Sequence, residues 1–211
     1  ISDAIDAFPN DETLAFANHF PAPDRSGTIA FENNFPEAGD YDFNDLVITY
    51  AFNLQTNPNG RVVKIIVEFD IKAIGTASRD GFGFILPLNA GQVRQVTGSV
   101  LNAGYLNMTG SNLEAGQNAA VVIVIDDALS RARPAGGFDF VNTEDGSPEV
   151  GSQAINLVIE LSDTVDLSQL GAPPYNPFLI VDANRGYEIH AADMPGSDLM
   201  DNELFGQGRD N

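Results

Sequence analysis

The sequence has no cysteine, no tryptophan, two histidines, and ten lysine and arginine residues among 211. Without cysteine there are no disulfides, no thiolate nucleophiles and no sulfur-ligated zinc. Only His19 and His190 remain as imidazole donors, so zinc is not expected. The shortage of positive charge is as informative. Thirty acidic residues leave a formal net charge of -20. Nucleic acids and anionic membrane surfaces are recognised by clustered Lys and Arg, so neither is expected as a partner. No apolar run approaches the roughly 18 residues of a membrane-spanning helix. No Gly-x-Ser-x-Gly elbow and no phosphate-binding glycine loop appears, and the sequence gives no reason to expect an enzyme. The start at Ile1, without Met or signal-peptide pattern, reads as a processed or excised end.

Hydrophobic residues make up 43%, enough for a packed core. They fall in short runs rich in Val, Ile, Phe and Tyr, separated by Gly, Pro and Asn. Strands are expected over Thr28–Phe31, Leu46–Phe52, Val62–Ile74, Gly83–Leu86 and Val93–Val100. Further strands are expected over Ala120–Ile125, Ile155–Leu161, Phe178–Val181 and Tyr187–His190. Val63, Ile65, Val67, Phe69 and Ile71 alternate with mostly charged neighbours, which predicts a strand with one solvated face. Asn57-Pro-Asn-Gly60 predicts an antiparallel hairpin between its flanking strands. Helical turns are expected at Glu12–His19 and Ala128–Arg131. The fold class is therefore all-β: an antiparallel two-sheet sandwich, jelly-roll-like, with few short helices. Two regions are expected, an acidic leader over residues 1–26 and the sandwich over 27–211.

The densest chemical signal is Asp40-Tyr-Asp42-Phe-Asn44-Asp45, preceded by Gly39. Side-chain oxygens at alternate positions of a short loop suit calcium, a hard cation that takes six to eight oxygens. The loop is not an EF-hand, because Asp45 stands where that loop needs Gly and Ala51 where it needs a bidentate Glu. The remaining ligands must come from elsewhere, and Glu32 and Asn33 are the nearest candidates. The competing reading is a plain acidic turn with Tyr41 and Phe43 packed inward.

Phe31-Glu-Asn-Asn-Phe-Pro36 followed by Gly39-Asp-Tyr-Asp-Phe-Asn-Asp-Leu-Val47 resembles the signature of the LruC domain family of bacterial surface and secreted proteins. In that family the pattern is Phe-Glu-Asp-x-Trp-Pro, then Gly-Asp-Tyr-Asp-Phe-Asn-Asp-Leu-Val. Asp80-Gly-Phe-Gly-Phe84, Asn176-Pro-Phe-Leu-Ile-Val181 and Arg185-Gly-Tyr-Glu-Ile-His190 extend the likeness over roughly residues 28–205. Asn33 replaces the family's Asp and Phe35 its Trp, so the site would carry one charge fewer. The resemblance implies a cell-surface or secreted setting, without an established activity, and makes the acidic motif a plausible metal site. The opening Asp3-Ala-Ile-Asp6 with Asp11 is similar to the tail of a thrombospondin type 3 repeat, which implies half of another calcium-wrapped motif.

The expected metal set is therefore Asp40, Asp42, Asn44, Asp45, Glu32 and Asn33, holding Ca2+. Asp182-Ala-Asn184-Arg-Gly186 is a weaker second candidate, more simply an Asx turn. Arg185, Glu188 and His190 could support acid–base chemistry but read more simply as a surface ion pair. The expected function is an extracellular structural or adhesive module, with self-assembly into filaments as a variant. The alternative is a carbohydrate-binding module, for which Tyr105, Tyr175 and Tyr187 are the aromatics to inspect.

Overall fold

The computed structural model describes residues 6–35, 37, 39–136, 138 and 140–204. Among these residues ten strands form two antiparallel sheets. They are β1 (Phe16–Phe20), β2 (Gly27–Phe31), β3 (Leu46–Thr56), β4 (Arg61–Ala73) and β5 (Gly81–Asn89). The chain continues with β6 (Val93–Thr97), β7 (Ala119–Ile125), β8 (Ala154–Asp166), β9 (Asn176–Ile180) and β10 (Glu188–His190). The first sheet runs β1-β3-β4-β8-β6, with β2 also paired to β3, and the second runs β10-β9-β5-β7. After the β3–β4 hairpin the chain crosses between the sheets at each connection until β9 and β10 close as a hairpin. The protein is an all-β sandwich, as its strand pattern predicts. Its described α-helices are α1 (Ala128–Ala132) and α2 (Leu167–Leu170), and no described helix is long and apolar enough to cross a membrane.

The β3–β4 hairpin turns at Asn57–Gly60, where Gly60 N–H donates to Asn57 O and Gly60 takes φ +74°. Asn57 Oδ1 accepts from Asn59 and Arg61 N–H, so this side chain fixes the turn. Along β4 the residues Ile65, Val67, Phe69 and Ile71 are buried as expected. Val63 is not, because a register shift between Val62 and Lys64 turns Val62 inward instead. Aromatic rings join the sheets: Phe69 meets Phe82 at 5.1 Å between centroids and Phe52 meets Phe84 at 5.9 Å, both edge to face.

Glu12–His19 does not form the expected helical turn. Phe16–Phe20 is a strand whose partner is the far half of β3, from Phe16↔Thr56 to Phe20↔Phe52. β2 follows on the same edge of β3, from Gly27↔Tyr50 to Phe31↔Leu46. A Cβ on Gly27 would lie 2.3 Å from the Tyr50 ring, so any larger residue where β2 begins must displace that ring. β2 ends directly at Glu32 and β3 begins directly after Asp45. The acidic loop is therefore the connection between two paired strands, with both ends anchored in the first sheet.

Candidate metal centre

Glu32 leaves the end of β2 with 4% of its surface exposed. Asp40 and Asp42 stand on the exposed loop opposite it. Carboxylate oxygens of these three residues all lie within 4.8 Å of one another, the one such grouping among the described residues. Tyr41 and Phe43 both take φ +54°, in the left-handed region that non-glycine residues avoid. This alternation turns the rings outward: Tyr41 is 47% and Phe43 52% exposed. The inward packing required by a plain acidic turn is absent. Two residues held at positive φ represent on the order of 1–3 kcal/mol each of local strain, which the surroundings must offset.

The electrostatics follow from the crowding. Burial first, then Asp45 and Asp40, raises the Glu32 carboxyl above the ordinary glutamate range. Its Oε1 accepts from Asn34 Nδ2 at 3.3 Å. Its Oε2 is buried and has no hydrogen-bond partner among the described residues. A buried carboxylate oxygen without a donor carries its full desolvation cost unless something positive meets it.

The other expected ligands divide. Asp45 is buried beside Glu32, with Oδ2 accepting Asn33 N–H at 2.7 Å. Asn44 folds onto Asp42, its side-chain amide donating to Asp42 Oδ2. Asn33 turns away from the three carboxylates. Its Nδ2 faces Thr76 Oγ1 at 3.0 Å, Ser78 Oγ at 2.8 Å and Asp80 Oδ2 at 3.0 Å. Asp80, 2% exposed, also accepts from Ser78 Oγ and Asp182 N–H. Burial raises its carboxyl despite these donors. This polar cluster was not foreseen, although Thr76-x-Ser78-x-Asp80 carries the same alternation of oxygens as the acidic loop. The segment after β4 presses against that loop: Gly75 N–H donates to Asn44 O at 2.8 Å, and a Cβ on Gly75 would overlap Asn44 Oδ1.

A polar cleft of about 690 Å³ opens beside the loop, lined by Asn33, Asp40, Asn44, Asp45 and Thr76 among others. An apolar groove of about 330 Å³ is lined by Ile29, Phe35, Tyr41, Phe43, Ile189 and Ala191, with Glu32 in its wall.

The remaining candidates resolve differently. Asn184 Oδ1 accepts from Gly186 N–H and Asn184 N–H donates to Val181 O, the hydrogen bonding of a turn, while Asp182 accepts from the distant Arg79 N–H. Of the half-repeat at the start, Asp3 lies outside the described residues. Asp6 accepts from Phe8 N–H, and Asp11 accepts from Thr13 N–H and Oγ1. Tyr175 is buried and Tyr105 has a buried hydroxyl, while the Tyr187 hydroxyl donates to Phe35 O. None of the three offers a flat exposed ring. Arg185, Glu188 and His190 do not form a surface pair. Glu188 is fully buried, bonded to Arg185, His190 and Ser197, and Arg185 reaches on to buried Glu114. The Ser197 hydroxyl donates to Glu188 and receives Arg185, Gln117 and Leu199, so its hydrogen bonding is saturated.

No curated protein matches the sequence. The crystal structure of a protein from Bacteroides ovatus, described as a putative lipoprotein, superposes with a TM-score of 0.51 at 17% identity. The match covers 82% of this chain and 55% of that one, so the present chain spans about half of its length. At this identity the likeness is one of fold. The family described as a domain of unknown function, DUF4842, matches residues 60–211, from the β3–β4 hairpin onward, and the acidic loop precedes the matched segment. That match takes in well over half of the sequence, and on this ground the chain belongs to the DUF4842 family.

Proposed function

We propose that this domain is a calcium-stabilised structural or adhesive β-sandwich module of a bacterial surface or secreted protein, and not an enzyme. The observation that carries the reading is buried Glu32, whose Oε2 has no hydrogen-bond partner among the described residues and whose carboxylate is grouped with those of Asp40 and Asp42. Glu32, Asp40 and Asp42 would supply the first oxygens to the ion, with Asp45 and Asn44 close by. Calcium accepts this irregular, carboxylate-rich set more readily than magnesium, which demands a compact octahedron and keeps its waters. Extracellular calcium modules bind with dissociation constants of about 10⁻⁴–10⁻³ M, and an exposed loop closed on one buried carboxylate suits that range. The resemblance to the LruC signature and the Bacteroides ovatus neighbour both support a surface setting. Among the described residues β2 and β10 pair with one strand each, which leaves room for the filament variant, in which a further strand is added.

The test is thermal melting with calcium and with chelator. Calcium at ten to a hundred times its dissociation constant should add about 1.4–2.7 kcal/mol. Asp42→Ala should lose that increment and Glu188→Ala should keep it, whatever its own stability. An unchanged melting midpoint in wild-type protein would sink the proposal.

The carbohydrate-binding reading is favoured by one observation, the outward display of Tyr41 and Phe43 beside the metal loop. Exposed aromatic faces stack on sugars, and here they would do so next to an ion able to take hydroxyl ligands. A glycan array with and without calcium separates the two readings: calcium-dependent stability with no glycan signal favours the structural one.

A further inference from the structure

The outer face of the second sheet is covered by the segments before β7 and after β10, and charged groups are sealed beneath them. Glu114 and Glu188 are 2% and 0% exposed. Arg185 bonds to both, and its Cζ lies 5.6 Å from the centroid of the Phe178 ring. The His190 ring stacks on the same Phe178, with centroids 5.1 Å apart and planes at 22°.

The hydrogen positions on His190 follow from its neighbours. Asn176 Nδ2 lies 2.7 Å from Pro195 O, a carbonyl that can only accept, so the amide nitrogen must point there. Asn176 Oδ1 therefore faces His190 Nδ1, at 2.7 Å, and is an acceptor. On the other side His190 Nε2 lies 2.7 Å from Glu188 Oε2, which also accepts Ser197 N–H at 2.9 Å. Glu188 Oε1 takes Arg185 and the Ser197 hydroxyl. A carboxyl receiving this many donors is an anion. Both ring nitrogens of His190 thus face acceptors, and both bonds form only if each nitrogen carries a hydrogen.

We propose that His190 is held as a doubly protonated imidazolium. It completes a charge-balanced quartet with Arg185, Glu114 and Glu188 and latches residues 195–199 over the second sheet. Two acids then meet two bases, and the quartet itself carries no net charge. The latch is direct: Ser197 N–H and Oγ bond to Glu188, Pro195 O receives Asn176, and Asp198 Oδ2 accepts Asn118 N–H. Removing the ring proton leaves one acceptor facing a bare nitrogen lone pair and one negative charge uncompensated, which loosens the segment. The groups facing the ring are Glu188 on its own strand, Asn176 on β9 and Arg185 across Phe178. Glu114 lies beyond Arg185, and Tyr105 in the covering segment lies within electrostatic reach of both.

Nitrogen-detected NMR of the wild-type domain at about pH 7.5 reads the state of the ring, with exposed His19 as the comparison in the same spectrum. Protons on both nitrogens of His190 are expected, and a single neutral tautomer overturns the proposal. The latch is read by amide hydrogen exchange at Ser197 and Asp198, corrected for the intrinsic effect of pH. Exchange there should rise at least about tenfold when the ring loses its proton, while the β4 and β8 amides hold. His190→Gln should show the same local increase at constant pH. A charged ring with unchanged exchange in wild-type protein overturns the latch, even if the variant does not fold.

Discussion

Glu32 is the residue on which the metal reading can be tested most sharply. Its carboxyl is raised by burial and by neighbouring acids, so in the absence of an ion its charge opposes the folded loop. Glu32→Gln should therefore raise the melting midpoint in chelator and remove the response to calcium. Opposite changes in the two conditions distinguish a ligand from a merely structural acid, whose loss lowers both. Glu188 is the contrasting carboxylate. Burial raises it, but bonds from His190 and Ser197 and the charge of Arg185 outweigh burial and bring it down to about 2. Because the folded value is depressed, its contribution is present above the ordinary glutamate range and is lost as pH falls through about 2. The depression corresponds to on the order of 3 kcal/mol. Glu188→Gln, which strands Arg185 and His190, should cost about 3–5 kcal/mol near neutral pH. The deficit should shrink in acid-unfolding measurements as wild type approaches the end of that range. A deficit independent of pH would assign Glu188 a packing role only.

At the scale of elements, the acidic loop depends on what lies behind it. Gly75 follows β4 and its Cα faces Asn44 so closely that an added Cβ would stand 1.6 Å from Asn44 Oδ1. Gly75→Ala must push Asn44 off Asp42. The calcium increment should then fall by about half or more, while the β3–β4 hairpin stays intact by circular dichroism; an unaltered calcium response would show that the loop holds itself. How far the elements were legible follows the range of the forces that make them. β3, β4 and β8 alternate, β7 is a continuous β-branched run, and the Asn57–Gly60 turn is a local signal, so each could be read from its own residues. The acidic loop was legible for the same reason, since its oxygens are contiguous. β1 was not: Phe16-Ala-Asn-His-Phe20 has no β-branched residue, and it is a strand because the far half of β3 offers a free edge. The Val62 bulge and the outward turn of Tyr41 and Phe43 are backbone choices that side-chain pattern does not encode. Arg185, Glu188 and His190 were legible as a group but not as a buried one, because Glu114 stands 71 residues from Arg185 in sequence and Ser197, which covers Glu188, nine from it. Only the packing of the covering segments brings them together.

At the scale of the molecule, a formal charge of -20 on 211 residues means that any cation stabilises to some degree, by screening alone. Site binding and diffuse screening must therefore be separated. Screening depends on ionic strength and is spread over the surface, so sodium chloride matched in ionic strength to a calcium solution should reproduce it. A bound ion instead saturates and follows the concentration of free calcium. Calcium in the millimolar range should thus raise the melting midpoint beyond matched sodium chloride by roughly 3–11 °C, for about 1.4–2.7 kcal/mol in a domain of this size. Magnesium at equal concentration should fall between the two, because it sheds its waters reluctantly for an irregular carboxylate set. The excess should vanish in Asp42→Ala, whose net charge is nearer zero by one unit and whose screening response is almost unchanged. If calcium and matched sodium chloride give the same midpoint, the acids around Asp42 are a solvated surface and hold no ion.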